Sequence, residues 1–169
     1  MELFDAIYTR RSIRRYSDQP IEKEKVDKIL RAAMYAPSAV NKQPWHFIVF
    51  KNTISRQKIM EINKNSAMLA ESQIAILICF DEKLQHDDGY GVIDCSSATQ
   101  NMLLASHALG LGACWVGIHP RIDRIEALIK IFKLPENIVP FAVIALGYPL
   151  EKKETPQRFK QDRIHYETW

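Results

Sequence analysis

Residues 91–109 constrain the fold more than any other part of the chain. They form its longest stretch of helical character, and they are rich in small residues: Ala98, Ala105 and Ala108, with Ser96, Ser97 and Ser106. The stretch is apolar around much of its circumference, and a helix of that kind needs protein on most of its sides. The fold must therefore place it centrally and pack it tightly. Gly110-Leu111-Gly112 ends the helix, as glycine does at the left-handed position after a last turn. The run from Gly110 through Ala113, Cys114, Trp115, Val116 and Gly117 thus closes a helix and opens a strand. A dinucleotide-binding fingerprint has the reverse order, so the pattern argues against a Rossmann-type domain.

Around this helix the hydrophobic periods predict a short helix over 2–9 and an amphipathic one over 23–35. The second has its apolar positions at Val26, Ile29, Leu30, Ala33 and Met34. Helices over 54–62 and 121–132 follow the same period. Strands are predicted over 45–50, 74–80, 113–117 and 139–146. Helices outnumber strands, which gives an α+β class with a mixed or mainly antiparallel sheet. At 169 residues the chain is expected to be one domain, 1–169, with an ordinary globular balance of 47% hydrophobic and 25% charged residues. The apolar run at 74–80 is far too short to span a membrane. Glu2 and Asp5 do not suit a signal peptide, and Cys79, Cys95 and Cys114 are isolated, as buried free thiols are. A cytoplasmic protein is the expectation.

The segment Thr9-Arg10-Arg11-Ser12-Ile13-Arg14-Arg15-Tyr16 puts four arginines and a hydroxyl within six positions. Guanidinium groups stay ionised and offer a planar fork of donors suited to phosphate oxygens. A solvated surface turn is the plain alternative, and nucleic-acid binding a third. Against the third stand Asp18, Glu22, Glu24 and Asp27, a net charge of only +3, and the lack of any accompanying nucleic-acid-binding pattern. The loop Pro37-Ser38-Ala39-Val40-Asn41-Lys42-Gln43-Pro44 is held between prolines. Its Asn41 and Gln43 carry the donors and acceptors that suit the edge of a heteroaromatic ring. The tail at 151–169 is polar yet keeps Phe159, Ile164, Tyr166 and Trp169. Two readings of it stand: it covers a partner subunit, or it packs along its own domain.

Taken in order, R-R-S-I-R-R-Y, P-S-A-V-N-K-Q-P-W, G-L-G-A-C-W-V-G and the terminal Arg158-Phe159 and Arg163-Ile164-His165-Tyr166 resemble the nitroreductase family. The resemblance covers essentially the whole chain. It implies a nitroreductase-like fold and a homodimer with FMN at the subunit interface, the C-terminal tail extending over the partner. It implies that Arg10 and Ser12 bind the FMN phosphate with Arg11 in support, and that Arg158 closes over it. Arg14 would reach the phosphate or the pyrimidine edge of the ring. Pro37, Ser38 and Asn41 would approach from the other subunit, with Gln43 supporting the loop or touching the cofactor. Val116, Gly117 and Ile118 would lie beside the isoalloxazine. The implied activity takes hydride from NADH or NADPH onto flavin N5. It then reduces an electron-poor acceptor, a nitroaromatic or quinone, in a two-step ping-pong cycle. The flavin carries that chemistry, so no catalytic side chain is expected.

Two departures bear on substrate choice. Lys42 stands where a small polar residue is expected, and the connection at 81–90 has no room for a helical lid over the flavin. The five histidines lack metal-ligand spacing, so no metal is expected. A specialised relative, such as a reductive dehalogenase or a flavin-destructase-like enzyme, and a non-catalytic flavin-binding module stay open as alternatives.

Overall fold

The computed structural model describes residues 1–169. Five α-helices and four strands follow one another as α1 (Leu3–Thr9), α2 (Lys23–Met34), β1 (Trp45–Phe50), α3 (Thr53–Ile62), β2 (Ile74–Asp81), α4 (Tyr90–Ala108), β3 (Gly112–Gly117), α5 (Ile122–Phe132) and β4 (Ile138–Gly147). The strands form one sheet in the order β1-β2-β4-β3, and every neighbouring pair is antiparallel. These bounds fall within one or two residues of the periods in the sequence. Asn52, for example, starts α3 by accepting from the N–H groups of Ile54 and Ser55 at 2.8 and 3.3 Å.

Strand β2 shows why the fold has layers on both sides. Its side chains alternate, so Ile74, Ile76 and Ile78 join α2 and α4 in one core, while Ala75, Leu77 and Cys79 join α3 and α5 in the other. Ile76 and Leu77 are fully buried, and each such side chain contributes about 1.5–3 kcal/mol. Helix α4 lies in the first core through Cys95, Ala98, Met102 and Leu103. Its buried Thr99 and Ser106 hydroxyls donate to the carbonyls four residues back, each at 2.7 Å, which satisfies them without leaving the helix. One stripe stays uncovered, with Ile93 59% exposed. All three cysteines are buried and free. No helix is long and apolar enough to cross a membrane.

Three features were not expected from periodicity. Residues Lys64–Leu69 form a 3-10 stretch, started by Asn63, whose side chain accepts from the Asn65 N–H at 3.1 Å. The segment after α1 extends the sheet edge: Ser12 bridges Ala113 in parallel, and the Ile13 N–H donates to the Ala113 carbonyl at 3.0 Å. The chain beyond β4 returns beside it, with Leu150 N–H donating to Arg15 O and Ser17 N–H to Tyr148 O. Past that point residues 154–169 are all exposed.

A glycine pair seats the arginine segment. Gly112 on β3 lies opposite Gly147 on β4. A Cβ at Gly112 would come within 2.7 Å of Ile13, and one at Gly147 within 2.7 Å of Tyr16. Gly147→Ala should therefore destabilise the chain by about 1–3 kcal/mol through overpacking. Urea unfolding of the variant checks this, and an unchanged midpoint would show that Tyr16 has room to move.

Candidate functional site

Arg10 ends α1, and its backbone N–H still donates to the Ala6 carbonyl at 3.1 Å. Its guanidinium is held below the ordinary arginine range, first by burial and then by the neighbouring charges of Arg11 and Arg158. The tail thus carries the Arg158 charge near enough to act on Arg10. Neither has a carboxylate partner, and nor has Arg14: the chain's ion pairs join other groups. Like charges gathered around a half-buried guanidinium cost free energy unless an anion joins them. His107 reports the same field, since burial and then Arg10 and Arg11 push its pKa down. The Thr9 hydroxyl donates to Asp5 O at 2.6 Å, so it accepts from His107 Nε2, 2.8 Å away, and we assign the imidazole proton to Nε2.

Arg11 has a different task from its neighbours. Its guanidinium donates to the carbonyls of Tyr8 (2.7 Å), Arg10 (2.5 Å) and Glu154 (3.1 Å). It thereby closes the end of α1 and ties the tail to the turn. Arg14 is exposed, while its backbone N–H donates to Glu151 Oε1 at 2.5 Å. Glu71 completes the frame by accepting from the Arg15 side chain and the Tyr16 N–H at 3.0 and 3.2 Å.

These hydrogen bonds make the segment acid-labile. The Arg14 N–H holds the Glu151 carboxyl below its usual range, and the Tyr16 N–H does the same for Glu71. The unfolded carboxylates, near pKa 4.3, bind protons more readily. Their contribution is thus complete above that value and is lost as pH falls through the lower folded values. Amide exchange at Arg14 and Tyr16 should rise sharply over that acid range, ahead of the strand amides. Parallel loss of both sets would show that the segment is held by something else.

A cavity of about 690 Å³ opens beside this segment. Arg14, Arg15 and Glu71 stand at one end, β3 from Cys114 to Gly117 forms a wall, Asn63, Lys64 and Asn65 flank it, and Arg124 of α5 closes the other end. Gly117 lies three residue steps along β3 from Cys114, a run of about 10 Å. Gly117 is open: a Cβ there would meet nothing within 4 Å. Its carbonyl accepts from Arg124 Nη1 at 2.7 Å and from Asn63 Nδ2 at 3.5 Å. Val116 and Ile118 are buried at 2% and 0%, so their side chains belong to the core and only strand backbone is offered there. Burial raises the Cys114 thiol pKa despite Arg14 and Arg10 nearby, which leaves it protonated and a poor nucleophile.

The proline loop lies elsewhere. It sits on the α4 side of the sheet, where Pro37, Ser38 and Ala39 line a separate hollow of about 200 Å³ with Tyr90, Ile93 and Ser97. A single chain does not bring Pro37, Ser38 or Asn41 to the arginines. The loop is locally strained, with Val40, Asn41 and Gln43 at φ of 50°, 56° and 49°. Such backbone costs on the order of 1–3 kcal/mol per residue and persists only when the surroundings enforce it. Here Gln43 N–H donates to Ser38 Oγ (3.0 Å), Gln43 Nε2 to Asn41 Oδ1 (2.8 Å), and Ala39 N–H to Asp94 Oδ1 (3.0 Å). Gln43 supports the loop, one of its two expected roles.

Asp94, Asn63, Lys64 and Arg124 were not anticipated. Asp94 had a signal: a carboxylate between Ile93 and Cys95 in an apolar helix is rarely idle. It is 2% exposed, with one oxygen on the loop and the other, Oδ2, without a partner. The other three had none, because each reads as an ordinary surface residue.

Known proteins share this sequence pattern and this fold. The family model described as "Nitroreductase family" matches residues 7–88 and 61–148. A Methanothermobacter thermautotrophicus protein, whose provisional name joins NADH dehydrogenase and NAD(P)H nitroreductase, is 49% identical over 100% of this chain and 88% of its own. A Parabacteroides distasonis crystal structure with the same provisional name superposes with a TM-score of 0.94 at 38% identity, covering 99% of this chain and 98% of that one. A Clostridium difficile protein named as an FMN-dependent nitroreductase superposes at 0.90 with 28% identity, covering 98% and 99%. With both halves of its sequence matched and its whole fold shared, this chain belongs to the nitroreductase family.

Proposed function

We propose that the chain is an FMN-dependent NAD(P)H oxidoreductase, folded as one domain over 1–169 and acting as a homodimer. The observation that carries this reading is a half-buried Arg10 under the charges of Arg11 and Arg158, none with a carboxylate partner, in the same segment as Arg14, which lines a cavity with the open Gly117. The residues present fit FMN. Arg10, Ser12 and Arg158 would hold the phosphate, each charge-assisted hydrogen bond being worth about 1.5–3 kcal/mol. Arg11 would keep the turn and the tail in register by its three carbonyl contacts. Arg14, which lines the same cavity as Gly117, would face the pyrimidine edge of the ring. The open Cα of Gly117 lets a flat ring approach the strand closely, while Val116 and Ile118 keep its floor dry.

Pro37, Ser38 and Asn41 would serve the flavin of the second subunit, because within their own chain they lie on the α4 side. The uncovered α4 stripe and the exposed tail supply apolar surface for that partner. When bound, FMN supplies the redox chemistry, taking two electrons from NAD(P)H and passing them to an electron-poor acceptor such as a nitroaromatic or quinone. No side chain of this chain is required to move a proton in that scheme, and the protonated Cys114 is no competitor for it.

The test is direct. Purified protein should be yellow, or become so with added FMN, should bleach anaerobically with NADH or NADPH, and should regain colour with a quinone or nitroaromatic. A protein that takes up no FMN overturns the proposal. A yellow protein that neither nucleotide bleaches reduces it to a flavin-binding module.

A further inference from the structure

The loop at 37–43 keeps its shape against its own preferences. Val40, Asn41 and Gln43 have positive φ, a region that residues other than glycine enter at a cost. Packing does not enforce this, because residues 40–43 are all exposed. Most of the loop's hydrogen bonds are internal. Asn41 N–H donates to Ser38 O and Lys42 N–H to Ala39 O, each at 3.0 Å, and Gln43 donates to Ser38 and Asn41. One hydrogen bond joins the loop to the rest of the chain, from Ala39 N–H to Asp94 Oδ1 at 3.0 Å. Asp94 stands on a rigid mount: Cys95, next to it on α4, is fully buried and donates its thiol hydrogen to the Cys79 carbonyl of β2 at 3.5 Å. The Asp94 carboxyl leaves Oδ2 buried without a partner, which itself costs free energy. A strained turn persists only where something outside it enforces it, and this bond is the restraint the chain supplies.

We infer that Asp94 is a positioning residue for the flavin site of the second subunit: through Ala39 it holds the turn at Val40–Gln43 in the shape that presents Ser38 and Asn41 there. The inference rests on the flavin reading, which takes these loop residues to the second subunit's cofactor. It goes further by giving α4 of one chain a part in the cofactor affinity of the other. The effect passes through the backbone. With Ala39 released, Val40 returns to the negative φ that a β-branched residue prefers, and Asn41 turns away with it. FMN binding would then have to order the turn again, which lowers affinity.

Asp94→Ala and Asp94→Asn separate the tether from the charge. Alanine is the best helix former and removes the unpartnered oxygen, so α4 should keep its fold. Asparagine keeps an oxygen for the Ala39 N–H. In apo protein, amide exchange at Ala39 should speed up in Asp94→Ala and stay near the wild-type rate in Asp94→Asn. The FMN dissociation constant, read by fluorescence titration, should rise about tenfold with alanine and stay within about threefold with asparagine. Val40→Gly added to Asp94→Ala should recover part of the loss, because glycine takes a positive φ unaided. Should Asp94→Ala not fold, Asp94→Ser takes its place, since a serine hydroxyl can be satisfied within α4 as those of Ser96 and Ser106 are. A tether-free variant that binds FMN as the wild type does overturns the inference and leaves the flavin reading standing. Equal losses with alanine and asparagine overturn it too, because the charge would then matter and not the tether. So does a Val40→Gly double variant without recovery. A wild type that binds no FMN removes the flavin reading itself, and this inference with it.

Discussion

Replacing Arg10 and Arg158 together by glutamine should raise the FMN dissociation constant by about two to four orders of magnitude, from two lost charge-assisted contacts. The apo chain should not lose stability. Arg10 is held below its ordinary pKa by burial and by the charges of Arg11 and Arg158, so the native apo state already carries that repulsion. Removing it should leave the apo melting temperature unchanged or slightly raised. The opposite signs of the two effects distinguish a ligand site from a structural one, in which both would fall. Fluorescence titration with FMN and thermal unfolding of apo protein check the two quantities. Retained FMN affinity in the double variant would move the phosphate elsewhere. Arg11→Gln should behave differently: its three carbonyls lose their donor, so apo stability falls along with affinity.

Much of this site was legible because charge and proline are costly to place without a reason. The arginine run raised the question of an anion, with a solvated turn as the alternative, and Arg10 is half-buried under the charges of Arg11 and Arg158. The central helix was legible for a related reason, since its small and apolar residues admit only a packed environment. What stayed hidden depends on register and on distant segments. That Gly112 faces Gly147, and that the pair seats Ile13 and Tyr16, follows from the β3–β4 pairing and from nothing local. Asn63 and Arg124 are 61 positions apart in the chain and meet only at the Gly117 carbonyl. The strain at Val40 was invisible too, because a β-branched residue at φ of 50° contradicts its own preference. It is sustained by tertiary contacts, Asp94 among them. Arg11 shows the converse: its motif position pointed to phosphate, but three nearby carbonyls compete for its donors.

On the proposed function, deleting residues 155–169 should convert a yellow dimer into a colourless monomer whose own fold persists. Everything after Lys153 is exposed, with Phe159 at 66%, Tyr166 at 77% and Trp169 at 100%, so the isolated chain gains little from these side chains. Covered by a partner, large apolar side chains contribute about 1.5–3 kcal/mol each, enough in sum to decide association at micromolar concentration. The tail's first part would survive the cut, because Leu150 and Glu151 are zipped to Arg15 and Arg14. Deletion also removes Arg158, so loss of colour alone proves nothing about the dimer. Arg158→Gln in the full-length chain supplies the control, expected to weaken FMN while the mass stays dimeric. The complementary variant replaces Phe159, Tyr166 and Trp169 by serine and keeps Arg158. It should lose the dimer first and the FMN as a consequence, since loop 37–43 of the second chain departs with it. Light scattering and the visible spectrum read both effects. A yellow dimer after deletion would assign the interface to the uncovered face of α4 and to α1, where Leu3, Phe4 and Tyr8 are exposed, and the tail would then have no part in holding the two subunits together.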